Sequence, residues 1–166
     1  IDLFLKNFSI NKIYSFEPNL SLFKKIESNK KYQRSEIEIF NKGVGTRNEV
    51  KNLNIMVDTS SSTIHSLNED TKYYQRKKKI LSLFNNTQNF ISARQKINII
   101  NFSDFMKDHD LKKIDILKID TEGYEFNILQ GIHQLDFKKI RFIYFEHHYD
   151  LMIDKKYKFE DINKLL

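Results

Sequence analysis

The stretch ILKIDTEGYEFNILQGI, Ile116 to Ile132, begins as an apolar run broken only by Lys118 and then turns acidic. Asp120, Glu122 and Glu125 crowd into six residues around Gly123. Extended back to Lys113, the first half (KIDILKI) reads as a buried strand, because near-continuous Ile and Leu suit a strand covered on both faces. The second half (EGYEFNILQ) reads as a helix with Gly131 as its C-terminal stop. Three roles are open for the carboxylates between them: catalysis, a cofactor clamp, or the polar start of a surface helix.

Working outward, the same strand–acid–helix pattern recurs. Ile13–Phe16 is β-prone and ends in Glu17-Pro18-Asn19, where proline excludes a helical continuation and Asn19 can cap a following helix. That helix, LSLFKKIES, puts Leu22, Phe23 and Ile26 on one face. EIEIFNKGVG reads as a second strand ending in a tight turn at Gly43 and Gly45. EVKNLNIMV is another extended piece, DTSSSTIHS a polar loop, and residues 68–86 a helix with a lysine-rich face. KINIINFSDFM gives a strand followed by a helix capped by Ser103. IRFIYFE is a further buried strand, and YKFEDINKLL a last helix.

Strands alternating with helices indicate an α/β domain built on a mostly parallel sheet with helices on both faces. Ligands of such sheets bind beyond the carboxyl ends of the strands. Three strands end in carboxylates, Glu17, Asp120 and Glu146, and three at one sheet edge would form a site. A lone one would be unremarkable, since helix N-termini favour anions.

The chain has 166 residues, the length of a single domain over 1–166, with 40% hydrophobic and 30% charged residues. No apolar run approaches the roughly 18 residues of a membrane span. Zero cysteines exclude disulfides and thiolate metal sites and fit a cytoplasmic protein. The net charge of +6 comes from scattered lysines, the densest cluster being Arg76–Lys79. A solvated helix face accounts for that cluster better than nucleic acid does.

At this point the motifs resemble a family. ILKIDTEGYEFNILQGI resembles the hallmark segment of the FkbM-family methyltransferases, which use S-adenosylmethionine to O-methylate sugars and secondary metabolites. IYSFEPNLSLFKKIESN is similar to that family's acidic second-strand segment, and KIRFIYFEHH to its later strand ending in glutamate. INIINFSDFM lies where the family has a strand and helix before the hallmark. The resemblance covers most of the chain and is weakest over residues 69–94. It implies a Rossmann-like class I methyltransferase fold. It also implies a strand and glycine-rich loop before Ile13 and a closing strand pair after DINKLL. IDLFLKNFSINK contains no glycine and reads as the helix after that loop, so the expectation is a partial domain lacking the first strand and the final strand pair.

The resemblance further implies that Glu17 accepts hydrogen bonds from the ribose of S-adenosylmethionine, a device dinucleotide folds also use. Asn19, Gly43, Val44, Asp120 and Glu122 complete the expected cofactor contacts. Gly43-Val44-Gly45 is equally well read as a hairpin turn, and Glu122 as a helix N-terminal charge worth about 0.3–1 kcal/mol. Glu125 reads as scaffold, and Gly123 permits close backbone approach. Asp120, Glu146 and His147 are the expected catalytic residues. A carboxylate with an ordinary pKa near 4 is a weak base unless burial raises it, whereas His147 or His148 titrates near neutrality. A metal shared by the two is disfavoured, because neighbours on an extended chain point to opposite faces. His65 lies in a loop that could cover the site.

The resulting reading is an O-methyltransferase acting on a hydroxyl of a sugar, glycan or small metabolite. Two alternatives stay open: an RNA-directed methyltransferase, and a non-catalytic remnant or partner-binding domain.

Overall fold

The computed structural model describes residues 1–57, 62–84 (81–84 by backbone alone), 90–147, 149 and 152–166. Helix α1 (Asp2–Asn7) leads to strand β1 (Ile13–Phe16), helix α2 (Leu20–Glu27) and strand β2 (Ile37–Phe40). Strands β3 (Gly43–Gly45) and β4 (Glu49–Met56) follow, then helix α3 (Lys72–Phe84), strand β5 (Ile91–Asn101) and helix α4 (Phe102–Asp108). The second half holds β6 (Ile114–Ile119), α5 (Glu125–Gln130), α6 (Gln134–Phe137), β7 (Ile140–Phe145) and α7 (Phe159–Leu165).

The α/β character holds and, among the described residues, three of the four strand pairings are parallel, but the strands do not form one continuous sheet. Among the described residues the strands form three ladders: β1 parallel to β2, β6 parallel to β7, and β5 flanked by parallel β3 and antiparallel β4. The antiparallel arm arises because the chain turns back around the end of β5. Asn48 Oδ1 accepts from the Asn101 backbone N–H at 2.8 Å, and the Asn101 side chain donates to the Thr46 carbonyl at 2.7 Å. Those bonds fold residues 46–48 over the strand end and aim β4 against β5.

Side chains rather than ladder hydrogen bonds join the parallel pairs. Phe105 of α4 packs edge-on against Tyr14, Phe16 and Phe40, with ring centroids 4.9–5.3 Å apart. The same ring belongs to the main core with Met106, Ile119, Leu129 and Ile162. Leu129 and Ile162 are fully buried, so α5 and α7 meet over the β6–β7 pair.

Local readings fare well in some places and are corrected in others. Asn19 caps α2 as expected, its Oδ1 accepting from the backbone of Ser21 and Leu22. The cap of α4 is Asn101, not Ser103, because β5 runs directly into the helix and Asn101 Oδ1 takes the Asp104 N–H. Ser103 is instead buried, its hydroxyl accepting from the His133 N–H at 2.8 Å. Gly43 and Gly45 make no tight turn: they lie in β3, where a Cβ would come 2.5 Å and 2.8 Å from Ile99. Gly131 ends α5 without a left-handed conformation, and a side chain there would meet the Gly45 carbonyl at 2.3 Å. Close packing explains these glycines. The expected loop DTSSSTIHS lies partly outside the described residues, which resume at Ser62.

Candidate active site

Each expected acid follows a parallel strand directly. Glu17 comes after β1, Asp120 after β6 and Glu146 after β7. β6 and β7 pair in register up to Ile119 and Phe145, and the Glu146 N–H donates to the Ile119 carbonyl at 3.2 Å. The ladder therefore sets Asp120 and Glu146 side by side. The Asp120 carboxylate is 42% exposed and pairs with Lys118 at 2.5 Å. The Glu146 residue is exposed. β1 belongs to a different ladder, so Glu17 reaches this edge by another route.

That route is a strap over residues 62–67. Asn19 Nδ2 donates to Ser62 Oγ at 3.4 Å, and Thr63 Oγ1 donates to the Glu122 carbonyl at 2.8 Å. Thr63 is 1% exposed and is pinned from behind by paired backbone bonds with Asn54. Two adjacent hydroxyl residues thus tie the turn after β1 to the loop after β6. Sequence reading passed over them because a run of serines and threonines looks like any solvated loop. The one signal was the apolar Ile64 within the run, which packs on the core.

The loop from Asp120 to Tyr124 is shaped by Glu125. This carboxylate is fully buried, and its Oε1 accepts from the backbone N–H groups of Thr121 and Gly123 and from the Thr121 hydroxyl, each at 3.1 Å. Its Oε2 accepts from the Tyr157 hydroxyl at 2.5 Å. Burial and the Glu125 bond push the Tyr157 phenol far above its ordinary value, so it stays a donor. Glu125 is the scaffold group the sequence suggested. Glu122 sits at φ 49° and Gly123 at φ 98°, both in the left-handed region that glycine tolerates best. A Cβ at Gly123 would come 2.8 Å from Ile153 and 3.5 Å from His65. The loop is therefore held between the strap and residues 153–155.

His65 packs against this loop, its ring 5.5 Å from that of Tyr124. Desolvation lowers its pKa, keeping the imidazole neutral, against the opposing pull of Gly123, Glu125 and Asp154. Burial likewise pushes the Tyr124 phenol up to about 12. His147 is half-buried between rings, 4.8 Å from Tyr149 and 5.5 Å from Phe159. His148 lies outside the described residues.

The Glu17 carboxylate is largely withdrawn from water, and desolvation raises its pKa; the Asn19 N–H, bonded to Oε1 at 2.8 Å, opposes that only in part. The second oxygen takes no hydrogen bond among the described residues. The turn itself is rigid: Asn41 donates to the Glu17 and Pro18 carbonyls, and Gln95 donates to Pro18 and accepts from Leu20. Asn19 is 1% exposed and its side chain is spent on the cap and on Ser62. Val44 is half-buried against the main core.

No group of three or more metal-ligating side chains occurs among the described residues, and none of their helices is long and apolar enough to cross a membrane. In comparisons with known proteins, the chain matches the family described as the methyltransferase FkbM domain over residues 2–166. No curated protein and no solved structure matches it.

Proposed function

The chain belongs to the FkbM methyltransferase family and is a methyltransferase enzyme, and on that premise we propose that it transfers a methyl group from S-adenosylmethionine to a hydroxyl of a sugar, glycan or small metabolite. The observation that carries the cofactor reading is Glu17. A desolvated carboxylate with an unused oxygen, fixed at a strand end, fits a pair of ribose hydroxyls. The fold that goes with this reading is the Rossmann-like one, with the β1–β2 and β6–β7 pairs as its parallel parts and the cytoplasm as its setting.

S-adenosylmethionine supplies a methyl group activated on a sulfonium. The chain's own residues hold and orient. Glu17 would take the ribose, with the backbone around Gly43, Val44 and Asn19 as the further expected contacts. Glu122, on the loop held by the strap and by Glu125, would be a further contact to the cofactor. Asp120 and Glu146, adjacent on the β6–β7 edge, orient the acceptor hydroxyl. His147, the expected base, would hold the proton that the acceptor hydroxyl gives up. Much of the acceleration comes from this positioning, because the leaving group is already a good one.

Calorimetric titration of the full-length gene product with S-adenosylmethionine tests the assignment. Glu17→Ala removes charge-assisted hydrogen bonds worth about 1.5–3 kcal/mol, so affinity falls roughly ten- to hundredfold. Absence of binding by the unaltered protein, or an affinity that the substitution leaves unchanged, overturns it.

A further inference from the structure

We propose that the exposed face of α3 is a docking surface for an anionic lipid membrane. The chain carries 28 basic and 22 acidic side chains, a net of +6. α3 alone holds Lys72, Arg76, Lys77, Lys78 and Lys79 and no acid, a net of +5 in 13 residues. Ten cations elsewhere among the described residues pair with carboxylates, among them Lys113 and Arg141 on Asp115, Lys118 on Asp120, Lys139 on Asp136, and Arg47 and Lys51 on Glu49. Among the described residues no ion pair engages Lys72, Arg76, Lys77 or Lys78. The densest run of cations in the sequence, Arg76–Lys79, thus lies on a helix that carries no acid.

The apolar residues on that helix sort by face. Tyr74 is buried, packed 4.7 Å from Phe90 in a small core with Met56 and Met152. Tyr73 and Ile80 are 52% and 49% exposed. At 100° per residue, positions 73, 77 and 80 form one stripe and 72, 76 and 79 the stripe beside it. The outer surface therefore interleaves an aromatic and an aliphatic side chain with four cations. A helix lying in the membrane interface has this pattern: cations meet anionic headgroups and apolar side chains enter the acyl boundary. A nucleic acid would use the charge and could stack on Tyr73, but Ile80 offers it no flat face. The exposed aliphatic residue decides for lipid.

The placement also bears on the enzyme. Met152 packs under α3, and its neighbour Ile153 touches the position a Cβ would take on Gly123. Docking through α3 would hold the loop after β6 close to the lipid surface.

Co-sedimentation of the full-length protein with vesicles tests this without any activity measurement. Vesicles of 70% phosphatidylcholine and 30% phosphatidylserine, roughly a strongly anionic cytoplasmic leaflet, should bind the protein, and pure phosphatidylcholine should not. K72E/R76E should weaken binding about a hundredfold or more, since four units of charge change. Y73S/I80S should weaken it about tenfold while leaving the salt dependence intact. All four side chains changed are exposed, so melting temperatures should match the parent and separate lost docking from lost folding. Equal binding to both vesicle types, no binding to either, or an affinity indifferent to Y73S/I80S overturns the proposal. A single-stranded 20-nucleotide RNA that displaces the protein from vesicles and binds Y73S/I80S unchanged also overturns it, in favour of nucleic acid.

Discussion

Glu17 and Glu125 are both withdrawn from water beside strand ends, yet their surroundings are opposite. Glu125 is fully buried and receives hydrogen bonds from two backbone N–H groups and two hydroxyls. Glu17 is less buried, receives one, and has its pKa raised by desolvation. Burial of a charge is tolerable when donors replace the lost water, and costs stability when they do not. A carboxylate supplied with donors is holding the fold in place. One left short of donors at a strand end fits the proposed role of accepting them from a ribose.

Breaking the satisfied partner should have the largest effect. Glu125→Ala leaves the Thr121 and Gly123 N–H groups and the Tyr157 hydroxyl without their acceptor in a buried place. Each such loss costs about 1–3 kcal/mol, so stability should fall by roughly 3–5 kcal/mol, read as a shift of the urea midpoint. A loss under about 1 kcal/mol would mean Glu125 is not the organiser of the loop. Gly123→Ala comes next. The left-handed backbone and the 2.8 Å approach to Ile153 should together cost about 1–3 kcal/mol, again by denaturant titration, with cofactor affinity falling in parallel because the loop moves.

Glu17→Gln should have the smallest effect on stability and the opposite sign. A carboxyl whose folded pKa lies above its ordinary 4.5 binds its proton more tightly in the folded state. Stability is then lost as pH rises from about 4.5 through the raised value, because the folded chain must give up that proton. The amide does not titrate. Without cofactor, the variant should therefore be slightly more stable than the parent at pH 7, and its melting temperature should vary less between pH 4 and 6. If the substitution destabilises the protein at pH 7, Glu17 is a structural group like Glu125 and the contrast fails.

Much of this was legible locally. The strand–acid–helix units around Glu17 and Asp120, the Asn19 cap and the scaffold role of Glu125 all follow from patterns within about ten residues. What escaped depends on partners far along the chain. The antiparallel β4–β5 pairing is set by Asn48 and Asn101, 53 residues apart, and nothing in EVKNLNIMV announces its direction. The glycines of β3 looked like a turn because the side chain that requires them, Ile99, lies more than fifty residues later. Thr63 is buried by its neighbours, not by its own character, so a polar run concealed a structural tie. The lysines of α3 read as a solvated face because which cations pair with carboxylates is visible only in space.

Asn101 has a consequence in time as well as in space. Its one side-chain amide donates to the Thr46 and Gly131 carbonyls, 55 and 30 residues away, while its oxygen caps α4. The two long-range bonds can close only after β3, β5 and α5 have each found their places, so we expect them to form late in folding. An interaction absent from the transition state slows unfolding without speeding folding. Asn101→Ala should accordingly steepen the loss of native lifetime, raising the unfolding limb of the chevron and leaving the refolding limb nearly where it was. Asn101 would then govern how long the native enzyme lasts and leave the speed of its formation almost untouched.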